Sequence, residues 1–342
     1  MMYELIKPLL LRLDPELAHD ISLRALSITD QLGILKPNIA STSTSSVKVM
    51  GLTFRNPVGL AAGLDKNGDF INCLTNLGFG FIEIGTVTPL AQPGNDQPRL
   101  FRLKHEESLI NRMGFNNKGL EHLLNRVKKN SSDIILGINI GKNKHTPLHL
   151  ANDDYVLGLE RSYAHASYVA INISSPNTEQ LRDLQSKDNL RELLVAIKNS
   201  RTRLEDAHGF RKPIALKIAP DLESDQIKHI ADLVFEHQID AIIATNTTIS
   251  RPTSDAHAVR ETGGLSGRLL QDLSTNIVYQ LHEITNGEIP IIGVGGILDA
   301  KDAANKIQAG ASLVQIYTGL IYRGPILISE CVNEIARLRS NS

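Results

Sequence analysis

Asn172, Ser174, Ser175 and Asn177 stand together where one β-like run stops, in Ala170-Ile171-Asn172-Ile173-Ser174-Ser175-Pro176-Asn177-Thr178. Pro176 has no N–H to give to a sheet and biases Ser175 towards an extended backbone, so the chain leaves the sheet here. Two amides and two hydroxyls are thereby delivered to the carboxyl end of a strand. Alone, such a stretch reads as a polar turn. Other β-like runs end on the same kind of chemistry, however. Lys66 follows Ala61-Ala62-Gly63-Leu64-Asp65. Thr86 and Thr88 close a second run, Asn139 and Asn143 a third, Lys217 a fifth, and Thr245-Asn246-Thr247-Thr248 a sixth. Two lysines at strand ends, with Asn139, Asn143, Asn172, Asn177 and Asn246 at comparable positions, are more than a solvated rim explains.

The last two runs end on Gly293-Val294-Gly295-Gly296-Ile297 and on Tyr317-Thr318-Gly319 before a helix. Turns of this kind let backbone N–H groups converge on an anion, and together they point to a phosphorylated ligand or cofactor. A long insertion over 88–117 holds Asn111-Arg112-Met113-Gly114-Phe115-Asn116-Asn117. Its amides, cation and glycine suit a small planar anion with amide edges, and a loop of this length in a compact domain is usually functional. Its Pro93-Gly94-Asn95 portion reads as an ordinary surface turn.

The elements that must position these groups follow a regular rhythm. β-rich runs at Val58–Ala62, Phe81–Thr86, Ile134–Ile140, Tyr168–Ile173, Pro213–Ile218, Ala241–Thr245, Pro290–Val294 and Leu313–Tyr317 alternate with helical patterns. The helical patterns lie around 68–77, 118–129, 151–164, 188–205, 224–237, 270–285, 299–309 and 325–338. Eight β-then-α units over roughly 280 residues predict an α/β fold, a (β/α)8 TIM barrel of ~250 residues plus insertions, with working residues at the carboxyl ends of its strands. A doubly wound sheet is the rival, but no Gly-x-Gly-x-x-Gly turn follows the first strand. Val47–Met50 and Leu52–Phe54, around Gly51, predict a small β-hairpin.

Residues 1–40 read differently. Ile6, Leu9, Leu10, Leu11 and Leu13 make a short apolar segment; Asp14 and Pro15 then provide an N-cap and a first helical position for a second helix. Leu17, Ala18, Ile21, Leu23, Ala25, Leu26 and Ile28 give it a broad apolar face, closed by Gly33 and Pro37. This N-terminal helical hairpin reads either as a pair packed on the main domain or as a patch dipping into a membrane surface. Ser/Thr-rich residues 41–46 read as a linker, so two domains are expected, 1–40 and 41–342.

Composition narrows the classes. The chain has 342 residues, with 36 basic and 37 acidic residues for a net charge of −1, and no Trp. There is no basic excess, so nucleic acid is not an expected partner. Cys73 and Cys331 are too few for a disulfide framework, and neither has metal-ligand spacing; a reducing interior and no metal are expected. No apolar run approaches the ~20 residues that span a bilayer, and Glu4, Lys7, Arg12 and Asp14 break any signal-peptide layout. Balanced charge favours a monomer.

The motifs as a set resemble a known family. Gly-Leu-Ala-Ala-Gly-Leu-Asp-Lys (59–66), Glu-Ile-Gly-Thr-Val-Thr-Pro (83–89), the 111–117 segment, Asn-Ile-Ser-Ser-Pro-Asn-Thr (172–178), Thr-Asn-Thr-Thr (245–248), Gly-Gly-Leu-Ser-Gly (263–267) and Gly-Val-Gly-Gly-Ile (293–297) are similar to those of the membrane-associated, quinone-dependent (class 2) dihydroorotate dehydrogenases. The resemblance runs over nearly the whole chain, the N-terminal hairpin included. It implies FMN on a (β/α)8 barrel, oxidation of dihydroorotate to orotate in pyrimidine synthesis, and transfer of the electrons to a membrane quinone, ubiquinone or menaquinone. It also implies a peripheral protein on the cytoplasmic side of the cell membrane.

Residue by residue, the resemblance makes Ser175 the base that removes the C5 proton while hydride leaves C6 for flavin N5, with Thr178 as proton relay. A serine hydroxyl is a poor base and needs a closed site. Lys66, Asn111, Arg112, Met113, Gly114, Phe115, Asn172, Asn177, Asn246 and Thr247 match substrate positions; an amide both donates and accepts, as a pyrimidine dione edge requires. Ala62, Gly63, Leu64, Asp65, Lys66, Thr86, Asn139, Asn172, Lys217, Thr245, Gly267, Gly296, Tyr317 and Thr318 match flavin positions, with Lys217 facing the ring. His19 and Arg102 match a quinone tunnel. The class rests on Ser175, where the soluble classes carry a cysteine, and on the hairpin. Leu90-Ala91 departs from the family's basic or proline residues there, outside the site. The rivals are a sugar-phosphate lyase or isomerase, a non-catalytic flavin-binding module and a soluble-class dehydrogenase.

Overall fold

In the computed structural model, which describes residues 2–35 and 45–341, eight parallel strands close into a barrel. In chain order they are Val58–Leu60, Phe81–Val87, Ile135–Ile140, Tyr168–Asn172, Ile214–Ile218, Ala241–Ala244, Ile291–Val294 and Leu313–Ile316, the last pairing with the first. Each agrees with its predicted run to within a residue or two. The eight predicted helices are present, and two short ones, Ala256–Arg260 and Thr318–Arg323, were not expected. Pro37 and most of the 41–46 linker lie outside the described residues.

Period-two alternation sorts the apolar strand residues into two cores. Leu60, Ile82, Ile84, Ile138, Val169, Ile171, Leu216 and Val314 face the helices. Phe81, Tyr168, Ala170, Ala215, Ala241, Ile243, Ile292 and Leu313 fill the barrel, plugged at the amino end by Phe54 from the predicted hairpin (Val47–Val49 with Leu52–Phe54). Phe54 and Phe81 meet edge-on, with ring centroids 5.1 Å apart. The Phe81 ring occupies space that a side chain at Gly59 would need. Truncating Phe81 to Ala would cost about 3–5 kcal/mol.

Two residues further along the same inward face, the filling turns polar: Glu83 after Phe81, Asn172 after Ala170, Lys217 after Ala215, Gln315 after Leu313. The apolar amino end thus supports a polar layer at the carboxyl end.

Over that end lies a three-stranded antiparallel sheet, Leu100–Leu103, Ser108–Asn111 and Gly264–Gly267. The long 88–117 insertion supplies two of its strands. The N-terminal helices, Met2–Leu10 and Pro15–Gln31, dock beside it. Asp14 caps the second as expected, accepting from the N–H groups of Glu16 and Leu17 at 3.0 Å. Arg99 holds Glu16 through two bonds of 2.9 and 3.0 Å, and Asn76 donates to Asp30 at 2.6 Å. Leu5, Ile6, Leu9, Leu17, Ile21 and Ile28 remain exposed on this pair. No helix among the described residues is long and apolar enough to cross a membrane.

Candidate active site

A cavity of about 390 Å³ opens between the carboxyl ends of the strands, the overlying sheet and the helix Pro15–Gln31. Its size is that of a cofactor or ligand site. Its floor is the polar layer. Glu83, fully buried, accepts from Asn139 at 2.7 Å and from Tyr168 and Gln315 at 2.8 Å each. The Lys217 ammonium lies 3.9 Å from the same carboxylate. Burial pulls Lys217 below the usual lysine range and Glu83 opposes the shift, so a cation stands against the cavity floor with one buried counter-charge. Gln315 Oε1 is buried without a hydrogen-bond partner.

Amides and hydroxyls form the wall. Thr86 donates to Asn139 at 2.6 Å and accepts from Asn172 at 2.8 Å. Asn246 donates to Ser174 at 3.0 Å, and Ser174 donates to Asn172 at 3.0 Å. Asn177 donates to Asn111 at 3.1 Å, joining the loop after the fourth strand to the overlying sheet. Each amide is therefore oriented by another residue, which fixes which edge it offers.

Ser175 lines this wall, nearly buried. Its hydroxyl accepts the Asn177 N–H at 3.2 Å, its one hydrogen bond within the described chain, so its own proton is uncommitted. Arg182 anchors the loop: it donates to the Ser174 carbonyl (3.1 Å), to Asp221 (2.8 Å) and to the Thr247 carbonyl (2.8 Å). Thr178 is buried, and its hydroxyl has no partner.

The far end is made of backbone. Gly267, Gly295, Gly296, Thr318 and Gly319 line it, with the Ser266 and Thr318 hydroxyls 2.9 Å apart. Gly296 has φ +74°, and a Cβ there would lie 2.3 Å from Gln271 Cα, so only glycine fits. Such a cradle of N–H groups and hydroxyls suits a phosphate-sized anion.

The remaining end belongs to the helix Pro15–Gln31, through Glu16, His19, Asp20 and Arg24. Burial and the nearby Lys66 ammonium press His19 down to about 3, so its imidazole is neutral at physiological pH. Lys66, lowered to about 8 chiefly by burial and partly restored by Glu16, stands between this end and the amide wall.

The cavity gathers most of the residues singled out in the sequence: Lys66, Asn111, Met113, Gly114, Phe115, Asn172, Ser175, Asn177, Asn246 and Thr247, with Ala62, Gly63, Leu64, Thr86, Lys217, Thr245, Gly267, Gly296, Tyr317, Thr318 and His19. Asp65 also lines it, yet its carboxylate is committed to the N–H groups of Asn67, Asp69 and Phe70, which makes it a scaffold of its loop.

Four do not reach the lining. Arg112 is turned away, bonded to Glu261 at 2.6 Å and stacked 4.5 Å over Phe101, so it braces the overlying sheet and is not a ligand of the cavity. Asn139 sits one layer deeper, beneath Thr86. Thr178 lies behind the Ser175 loop. Arg102 spans from the overlying sheet to the Leu13 carbonyl at 2.6 Å, fastening the helical pair. Sequence reasoning missed Glu83, Gln315 and Arg182. The first two share the inward period-two face with Lys217 and Asn172, a signal that was available. Among the described residues, no three His, Cys, Asp or Glu side chains gather as metal ligands.

Comparison with known proteins agrees over nearly the full chain. Residues 44–338 match the sequence model of the family described as dihydroorotate dehydrogenase. The chain is 55% identical over 335 residues to the dihydroorotate dehydrogenase (quinone) of Nitrosomonas europaea, covering 97% of each. It is 54% identical over 338 residues to that of Teredinibacter turnerae, covering 98% of this chain and 100% of the relative. Among solved structures it is similar to the DHODH of Eimeria tenella in complex with ferulenol, with a TM-score of 0.89, 41% identity, and coverage of 96% of this chain and 92% of that one.

Proposed function

This chain belongs to the dihydroorotate dehydrogenase family, in its quinone-dependent class, and on that premise we propose that its cavity is where dihydroorotate meets a bound FMN. The reaction is the oxidation of dihydroorotate to orotate with a quinone as acceptor, in pyrimidine biosynthesis, and the family is flavin-dependent. The observation that carries the site assignment is one cavity holding Ser175, four mutually oriented asparagines and two lysines at one end and a glycine cradle at the other.

The residues fit FMN. The cradle of Gly267, Gly295, Gly296 and Thr318 suits its phosphate, and the unpartnered Gln315 Oε1 suits an imide N–H of its ring. FMN supplies a two-electron acceptor for the hydride from C6 of the substrate and a donor to the quinone. Lys217, held over Glu83, stabilises negative charge on the ring side of the cavity. Asn111, Asn172, Asn177 and Asn246 hold the pyrimidine edge, and Lys66 pairs with the substrate carboxylate.

Ser175 takes the C5 proton. Its enclosed position and uncommitted hydroxyl proton support that role, because a hydroxyl can act as base only where water is excluded and its own proton has somewhere to go. The partnerless Thr178 hydroxyl is the proposed relay.

The neutral His19 and the exposed apolar side chains of the helical pair support a quinone entrance facing a membrane surface, with Arg102 holding the pair in place. The protein is thus proposed to be a monomer, peripheral on the cytoplasmic face, with residues 1–40 as the quinone-access unit and 41–342 as the catalytic unit. The test of the serine is Ser175→Ala in anaerobic stopped flow: FMN stays bound and its reduction by dihydroorotate collapses. Near-normal reduction would refute the assignment.

A further inference from the structure

Behind the glycine cradle, on the side away from the cavity, lies a buried polar cluster that the reaction does not use. Asp302 and Lys306 sit four residues apart on one face of the helix Ala300–Gln308, and both are buried. Asp302 accepts from Arg268 at 2.9 Å, from the side chain of Gln271, and from the N–H groups of Leu298 (2.9 Å) and Asp299 (3.1 Å). It therefore ties together three segments that meet around the cradle: the one leaving Gly267, the helix start on which Gly296 is packed, and the one leaving Ile297.

Lys306 completes the clamp from one turn further on. Its ammonium donates to the Gln271 carbonyl at 3.3 Å, to Ser274 at 3.0 Å and to Thr275 at 2.7 Å. Ser274 in turn donates to the Val294 carbonyl, at the end of the seventh barrel strand. A Cβ on Gly295 would lie 3.0 Å from Ser274, and one on Gly293 3.4 Å from the Lys306 stem. The lysine thus sits directly behind Gly293–Gly296. Its three hydrogen-bond acceptors are all neutral; burial lowers the ammonium to about 7, and the Asp302 and Asp272 carboxylates oppose that shift. Buried this deeply, the lysine is only partly charged near neutral pH, and an anion held in the cradle would draw it to its charged form.

We propose that Lys306, with Asp302, is a positioning residue for the cofactor phosphate: the pair sets the Gly295–Gly296 cradle, and the lysine lends it a buried positive charge, so that the site selects phosphorylated flavin over riboflavin. This rests on the FMN reading above.

The experiment compares FMN and riboflavin binding to the full-length apoprotein by quenching of flavin fluorescence, for wild type, Lys306→Gln, Lys306→Met and Asp302→Asn. Wild type should prefer FMN strongly. Lys306→Gln, which keeps a donor and loses the charge, should weaken FMN by about tenfold and leave riboflavin within about twofold. Lys306→Met should weaken FMN further, and Asp302→Asn should also narrow the preference. Should Lys306→Met fail to fold, Lys306→Gln carries the test alone. Variants that discriminate as well as wild type, or that lose both flavins equally, would overturn the inference. A wild type indifferent to the phosphate would instead overturn the FMN reading beneath it.

Discussion

At the barrel end of the cavity almost every polar group is met by another group of the protein. Glu83 has three donors and a nearby lysine, Asn172 both gives and takes, and Arg182 closes three bonds under the Ser175 loop. At the helical end the reverse holds: Leu5, Leu9, Leu17, Ile21 and Ile28 face outwards, and fixation depends on a few polar contacts such as Arg99–Glu16 and Arg102–Leu13. The first region is pre-organised for a small polar substrate, where a displaced atom costs rate. The second presents apolar area without fixed geometry, which suits a greasy acceptor arriving from a lipid surface. On the proposed reading the two half-reactions run on opposite structural terms, and substitutions at the two ends should separate them.

The largest effect is expected at the organised end. Ser175→Ala should lower flavin reduction by dihydroorotate by about 10³-fold, within the range for loss of a general base, and leave reoxidation by quinone intact. Lys217→Met should lower the same step by about 10²-fold, comparable to loss of one electrostatic stabiliser, and shift the flavin potential downwards in a spectroelectrochemical titration. If either variant slowed quinone reoxidation as much as reduction, the separation would fail.

At the apolar end, replacing Leu5, Leu9 and Ile28 together by Ser should reduce reoxidation by a long-tail quinone in vesicles by about tenfold, since each buried leucine is worth ~1.5–3 kcal/mol of transfer and only part is used at an interface. Reoxidation by a short soluble quinone and reduction by dihydroorotate should be unchanged. Loss of reduction in this variant would show the two ends to be one unit.

The smallest effect concerns His19. Its pKa lies at about 3 in the folded chain against an ordinary 6.5, so the unfolded chain binds the extra proton between those values. Its contribution to stability is present above pH 6.5 and is lost as pH falls towards 3. His19→Asn should flatten that acid limb in thermal melts; an unaltered limb would mean that the imidazole is already solvated.

Much of this was legible in the chain. The eight strands declare themselves by β-branched runs, and the polar groups at their ends by position. What escaped was set by partners distant in sequence. Gly264–Gly267 is four residues with one large side chain, and it becomes a strand only by pairing with Ser108–Asn111, some 150 residues earlier. Arg112 sits among ligand-like neighbours, yet Glu261 and Phe101 draw it away. Glu83 looked like a letter in a motif until the inward faces of eight strands were combined. Asp302 and Lys306 were not singled out, because nothing local in the 299–309 helical pattern says that this face is buried.

The most direct measurement is an anaerobic visible spectrum of the purified protein before and after adding dihydroorotate. Bleaching of the flavin bands on addition is predicted, placing cofactor and substrate in one cavity and fixing the direction of electron flow. A flavin that stays oxidised with dihydroorotate bound would contradict the account.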